Sequence, residues 1–419
     1  MFRFPSFLPL AAALIAAAAA AQTPEAGSPP TPTVDALVAE ALAKSPALAA
    51  ARSRLTAARE MESPAAALPN PQVEAMVQDA DFPNYTIGTE DMSMAGVEVR
   101  QPLPYSGKRR ARAGVARAET ALREVEVAEL ERRIISEVRS RYARLYALDQ
   151  EQHVLDAARE LADLLAATAR SRYATGGGEQ GDLVKAQLQA TRLEERLEDH
   201  HAERSVLVAD LNRWLGRPGG SGLGEVTELP ATAVLPPMPW EELAVGGATR
   251  VRMARAAVEA AERRVAAARL DVKPDLSPAA GLAYRGALGP VLTLRVGVEL
   301  PFWKRRKQEP LIRAAEAELE AARQELRDAE VTVRSQAARI AADWSKADRQ
   351  LLRYREGILP QTSTALDAAR ASYLAGRGDF STAVEGFNLW LDARMQLSRR
   401  EADRFVAWAE LEALTGGQP

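Results

Sequence analysis

The chain has no cysteine among its 419 residues and only three histidines. The first absence excludes disulfide staples, thiolate metal sites, cysteine nucleophiles and lipidation at cysteine. The second leaves little room for a histidine-built metal centre. Aromatic residues make up 5% of the chain, and neither charge dominates, with 54 Lys and Arg against 57 Asp and Glu. A general nucleic-acid binder would carry a basic excess, so no nucleic-acid partner is expected. Long apolar runs are also missing, apart from one at the start. Leu8 to Ala21 is dominated by alanine, follows Arg3 and ends Ala19-Ala20-Ala21-Gln22. At about 14 residues it falls short of the ~20 that span a bilayer as a helix, and its end has the form of a cleavage site. The expected assignment is a signal peptide over residues 1–21 and a flexible leader over 22–33 with Pro24, Pro29, Pro30 and Pro32. An exported chain with no other apolar helix can cross a membrane only as β-structure.

What is present is a duplication with a period near 200 residues. Tyr173-Ala174-Thr175-Gly176-Gly177-Gly178-Glu179 returns as Tyr373-Leu374-Ala375-Gly376-Arg377-Gly378-Asp379. The register holds without a gap from Ala169/Ala369 to Gly216/Gly416, with 13 identities over 48 positions. Upstream, Val97-x-Val99-x-x-Pro102 matches Val296-x-Val298-x-x-Pro301, Lys108-Arg109-Arg110 matches Lys304-Arg305-Arg306, and Arg139-Ser140 matches Arg334-Ser335. Alanine-rich helices resemble one another by composition alone. Composition does not repeat glycines, tyrosines and proline-ended strands in one order. The repeats are placed at 34–216 and 239–416, with a Gly- and Pro-rich linker at 217–238 and a tail at 417–419.

Each half carries the same parts. Short helices are expected over Val34–Ala43 and from Pro46, a helix-start residue, to Glu62. Strands are expected over Gln72–Gln78, Ala95–Val99, around Ala280, Leu282 and Tyr284, and over Leu292–Leu300. The last alternates strictly, with Leu292, Leu294, Val296, Val298 and Leu300 on one face and Thr293, Arg295, Gly297 and Glu299 on the other. Arg109 to Ala174 then contains one glycine and no proline. Its apolar residues recur at steps of three or four, which predicts a helix of about 100 Å. The counterpart, Pro310 to Leu374, carries Gly357 and Pro360 as a predicted kink. The tip glycines reverse the chain into returning helices over Gly181–Trp214 and Thr382–Leu414, giving two long antiparallel hairpins.

Such a helix needs partners along its whole stripe, as in coiled coils. Four strands cannot close a barrel, and an open edge cannot stand in lipid. Three copies would supply twelve strands, within the range of outer-membrane barrels, and six hairpins, enough for a ring. Tyr105, Phe302 and Trp303 follow the strands where interfacial aromatics lie, and packing of strand ends against helices is the competing reading. The basic runs after them suit either anionic headgroups or a solvated helix start. No Ser/His/Asp arrangement, P-loop or dinucleotide fingerprint is present, so no enzyme and no cofactor are expected. His200-His201 sit about 100° apart on a helix, an arrangement unsuited to one shared ion. Met92-x-Met94 near the outer hairpin is read as strand packing before soft-metal contact.

The duplicated helix–hairpin–helix halves, the tract Gln101-Pro102-Leu103-Pro104-Tyr105-Ser106-Gly107-Lys108 and the repeated Tyr-x-x-Gly tip resemble the TolC-like outer-membrane efflux protein family. The tract is most similar to the heavy-metal branch, which serves cation exporters of the resistance-nodulation-division type. The resemblance implies a mainly α fold with a small β part. It further implies a homotrimer whose twelve-stranded barrel spans the outer membrane on a periplasmic α-helical barrel. It implies two partners, a periplasmic adaptor and an inner-membrane resistance-nodulation-division pump, with passive passage of cargo between them. Adaptor contact falls on Tyr173, Gly176, Gly178, Tyr373, Gly376 and Gly378. Entrance acids fall on Glu179, Asp182, Asp379 and Glu385, whereas Lys185 and Thr382 stand where the pattern has acids. A threefold ring of carboxylates would attract cations and raise its own pKa values, so acidification is expected to alter the entrance. The competing readings are a periplasmic adaptor or structural coiled coil, and organic compounds or drugs as cargo. Adaptors typically carry one hairpin rather than two.

Overall fold

The computed structural model describes residues 32–80, 86–87, 92–232 and 238–417. The signal peptide and nearly all of the leader lie outside these. The first half begins with α1 (Val34–Lys44) and α2 (Pro46–Ala66). Thr33 caps α1 through its hydroxyl, and Ser45 does the same for α2 with Pro46 at the first helical position. Strands β1 (Gln72–Gln78) and β2 (Met94–Arg100) follow, then α3 (Ser106–Ala174) and α4 (Gln180–Leu215). The second half repeats this order with α5 (Trp240–Gly247), α6 (Thr249–Leu270), β3 (Asp275–Tyr284), β4 (Pro290–Glu299), α7 (Gln308–Arg353), α8 (Leu359–Leu374) and α9 (Phe380–Thr415). The strands lie where their alternation put them. Helical periodicity set no bounds for α5 and α6, because the alanines of α6 are both buried, as at Ala260 and Ala261, and exposed, as at Ala266.

One antiparallel sheet runs β1-β2-β3-β4, so the two halves meet at the β2–β3 ladder. β1 and β4 are its two edges. Helix α3 is unbroken over 69 residues. It outlasts α4, which has 36. Its remaining length is therefore covered by α2 and α6, while α9 packs along the part that faces α4. Ion pairs fasten the upper stretch, including Arg59–Glu124 at 2.7 Å, Arg52–Glu131 at 2.7 Å and Arg264–Glu119 at 2.9 Å. These pairs are largely exposed and contribute only a few tenths of a kcal/mol each, up to ~1. Apolar burial stabilises the stack more. Ile134, Val138, Tyr142 and Leu145 of α3 are buried with Leu37, Ala41 and Leu48 on one side and Val208, Leu211 and Leu215 on the other. The linker also joins this core: Val226 is buried, its N–H donates to Asp149 at 2.7 Å, and the Tyr142 hydroxyl donates to the Glu228 carbonyl at 3.0 Å.

The predicted kink is a π-helical turn, Tyr354–Ile358, between α7 and α8. Pro360 lacks an N–H and sits in the first turn of α8, where the missing donor is harmless. The turn also rephases the helix. Buried Ala337, Ile340, Trp344, Ala347 and Leu351 follow alternating steps of three and four. Continued unchanged, that pattern would reach Ala365 and Ser372, yet the buried residues are Leu366 and Tyr373, one position later. One extra residue accommodated in the wider turn accounts for the slip.

Candidate functional site

The hairpin tips are built alike. Gly176 has φ +74° and Gly376 φ +72°, left-handed values that side chains rarely adopt. Their N–H groups donate to the Tyr173 and Tyr373 carbonyls at 3.1 and 3.0 Å. A Cβ on Gly178 would lie 3.1 Å from that of Arg172, and one on Gly378 would lie 2.7 Å from the Ser372 hydroxyl. Glycine is therefore favoured twice in each turn, once for conformation and once for space.

The two tyrosines have different surroundings. Tyr373 is 1% exposed, packed edge-on against Phe380 at 5.2 Å between ring centres, with Arg172 over its ring at 4.7 Å. Tyr173 is 46% exposed, and Gln180 stands where the second half has Phe380. Of the two, only Tyr173 offers its ring to solvent; Tyr373 shapes the tip from inside. Arg172 ties the hairpins together, donating to the Tyr373 carbonyl at 2.7 Å and to the Gly177 carbonyl at 3.0 Å. Beneath these residues Leu165, Ala169 and Ala186 pack with Phe380 and Ala383.

Three of the four predicted acids act on one another. Burial raises the pKa of Asp182 above its ordinary value of 3.8, and Asp379 and then Glu179 push the same way, against Lys185 and Arg172. Glu179 and Asp379 are exposed and occupy the N-cap positions of α4 and α9. Glu385 is exposed on α9 and is not among the groups that shift Asp182. Lys185, in a position where an acid was expected, donates to the Ser381 hydroxyl at 2.6 Å. Gln189 to Asn388 at 2.9 Å and Arg196 with Asp392 at 3.5 Å continue these rungs between α4 and α9.

Further up, α3 carries two buried carboxylates that the periodicity did not single out. Glu151, 1% exposed, accepts two hydrogen bonds from Arg399 at 2.6 and 3.0 Å. Asp149 accepts from Arg204 at 2.6 Å as well as from Val226. The available signal was an acid inside the apolar stripe. A buried pair contributes little net stability, but removing one partner strands the other charge. His200 is a core residue, with Nε2 2.8 Å from the Leu148 carbonyl. Among the described residues no group of three or more potential ligands could hold a metal ion. Met92 is exposed and Met94 opens β2.

At the other end, cross-strand partners share a face of the sheet. Val73, Val99, Ala280 and Leu294 form one row, and Ala75, Val97, Leu282 and Leu292 form the next. This apolar face is open: Leu294 is 74% exposed and Val296 71%. On the opposite face Glu98, buried, holds Arg295 at 3.3 Å and Arg100 at 3.5 Å. Tyr105, Phe302 and Trp303 are exposed beside the helix-facing strand ends. The tract at 101–108 fastens this junction. Gln101 donates to the Pro69 carbonyl at 2.8 Å, the Tyr105 N–H donates to Asp275 at 2.8 Å, and Lys108 pairs with Asp275 at 2.9 Å. Among the described residues no helix is long and apolar enough to cross a membrane.

Comparison with known proteins gives the same picture. No curated protein matches the chain in sequence. Solved structures match over almost its whole length. The outer-membrane channel OprN superposes with a TM-score of 0.80 at 18% identity, covering 92% of this chain and 90% of that one. VceC from Vibrio cholerae gives 0.77 at 20%, covering 92% and 96%. CusC gives 0.79 at 17%, covering 92% of each chain. At these identities the likeness establishes the fold, that of transmembrane channels with a helical and a β part. The family model for outer membrane efflux proteins matches residues 37–217 and 242–417. With most of its length matched in this way, the chain belongs to the outer membrane efflux protein family, whose members are passive ducts rather than enzymes.

Proposed function

We propose that three copies of this chain form the exit duct of a tripartite efflux system, passing cargo from an inner-membrane pump and a periplasmic adaptor to the exterior. The observation that carries this reading is the sheet: four strands with two free edges, an open apolar face and a polar opposite face. A barrel of copies removes the edges, turns the apolar rows to lipid and leaves Arg100 and Arg295, paired over the buried Glu98, on the water side. The exposed ring of Tyr173 supports the same assembly, because its counterpart Tyr373 is covered by the other hairpin of the chain. The helical part then stands in the periplasm, with the tip turns and the acids Glu179, Asp182 and Asp379 at the adaptor end. Heavy-metal cations are the proposed cargo, on the likeness of the 101–108 tract, with a pump of the resistance-nodulation-division type. Deleting the gene should raise sensitivity to copper, zinc, cobalt or cadmium, and the detergent-extracted protein should be an outer-membrane trimer. Sensitivity to dyes and detergents alone would reject the metal assignment, and a soluble monomer would reject the duct.

A further inference from the structure

We propose that the turn between β4 and α7 is a binding collar for the headgroups of anionic phospholipid, a reading that rests on the membrane-spanning role of the sheet proposed above. Along ten residues the chain passes from apolar to aromatic to cationic. Val298 and Leu300 are about half exposed and end the open apolar face of the sheet; Phe302 and Trp303 are 81% and 71% exposed. Lys304, Arg305, Arg306 and Lys307 come next, all exposed. That is the order in which a bilayer presents hydrocarbon, interface and phosphate.

The four cations are not loose. Backbone bonds fix their turn, from the Lys304 N–H to the Pro301 carbonyl at 3.2 Å and from the Arg306 and Lys307 N–H groups to Trp303 at 2.9 Å. Among the described residues none of the four makes an ion pair, although neighbouring cations do. Lys108 has Asp275, and Arg100 and Arg295 share Glu98. The cluster also precedes the start of α7, the positive end of that helix's dipole, where cations are disfavoured. An external anion removes this conflict, and a lipid phosphate is the anion that arrives with acyl chains for Phe302 and Trp303. The collar lies at the helix-facing end of the strands, opposite the β3–β4 turn at Gly286–Gly289, which assigns it to the leaflet facing the helices.

The test uses the full-length protein reconstituted in phosphatidylethanolamine vesicles with and without phosphatidylglycerol. Trimer formation and conductance are read separately from lipid retained after purification. Each cation near an anionic surface contributes about a fivefold gain in binding, part of which salt removes. The native protein should retain phosphatidylglycerol at least about tenfold over phosphatidylethanolamine. K304Q/R305Q/R306Q/K307Q should lose that preference while keeping trimer and conductance. The charge-preserving K304R/K307R and the distant R370Q/R377Q should keep it. Equal retention of both lipids by the native protein, or unchanged preference in the fourfold variant, overturns the collar. So does binding of polyglutamate without phosphatidylglycerol, which would assign the cluster to an acidic protein. A chain that conducts in no vesicle overturns the duct reading itself and the collar with it.

Discussion

Arg172 is the contact whose removal should be felt most at the tips. It donates one hydrogen bond across to the Tyr373 carbonyl at 2.7 Å and one within its own turn to Gly177 at 3.0 Å, and lies over the Tyr373 ring at 4.7 Å. A hydrogen bond from a charged donor contributes about 1.5–3 kcal/mol where shielded, and a cation–π contact about 0.5–1 kcal/mol near the surface. Arg172 is half-buried and its bonds compete with water, so the sum is discounted to about 2–3 kcal/mol. Arg172→Ala should therefore make opening of the tip about 30- to 150-fold more frequent. Amide hydrogen exchange of the purified trimer reads this directly. The N–H groups of Gly376 and Arg377, bonded to Tyr373 and Ser372, should exchange faster by that factor. Amides in the core around Ile134 and Leu145 should not change. Arg172→Lys keeps the charge but cannot reach both carbonyls, so it should fall between. Unchanged exchange at the tip in Arg172→Ala would refute the reasoning, because among the described residues no other side chain donates to the Tyr373 carbonyl. Acceleration spread evenly over the chain would also refute it, since that would mean global rather than local loosening.

Other outcomes follow from the same geometry. The raised pKa of Asp182 means that its neutral form suits the tip better. The associated stability is full below its ordinary value of 3.8 and is lost as pH rises through the raised value. Acidification should tighten the tip and lower conductance. Asp182→Asn should hold the tightened state at neutral pH and flatten the response, and an unaltered pH curve would sink the idea. On the sheet, Leu294→Arg should cost about 2–4 kcal/mol and deplete membrane-inserted trimer, while Thr293→Arg, on the other face, should be tolerated; equal yields by heat-modified gel mobility would contradict the assigned faces. Finally, a Cβ on Gly247 would sit 2.0 Å from the Thr415 carbonyl, so Gly247→Ala must push α5 off the end of α9. Folded protein in membrane extracts should drop severalfold, and recovery at native levels would show that the junction yields.

The elements were legible because their periods differ. Strict alternation located β4 to within two residues at its start, and the proline-free run from Arg109 located α3 to within three. Glycine placement gave the tips, since glycine adopts the left-handed conformation at 176 and 376 without the steric cost a side chain carries. The partners of those elements were harder to read. A stripe of alanine and leucine does not say whether α2, α4, α6 or α9 covers it, and the coverage of α3 changes along its length. The tip residues also illustrate the limit. Tyr173 and Tyr373 occupy the same place in the repeat, and their burial differs because Phe380 and Arg172 cover the second ring while Gln180 stands where a phenylalanine would cover the first. Glu151 and Asp149 are buried on α3 by Arg399 and Arg204, partners too distant in sequence for helical periodicity to supply.

The π turn has a consequence for how such a wall can grow. Thirty residues separate Arg139 from Ala169 in the first half, and thirty-five separate Arg334 from Ala369 in the second. The turn at Tyr354–Ile358 falls inside the longer interval. Five additional residues in a regular helix would swing everything beyond them by about 140°, carrying Leu366 and Tyr373 away from their neighbours. Holding one of the five in a bulge leaves four, close to a whole revolution, so the distal segment keeps its heading. A column of this kind can gain a storey without turning its upper floors to face another street.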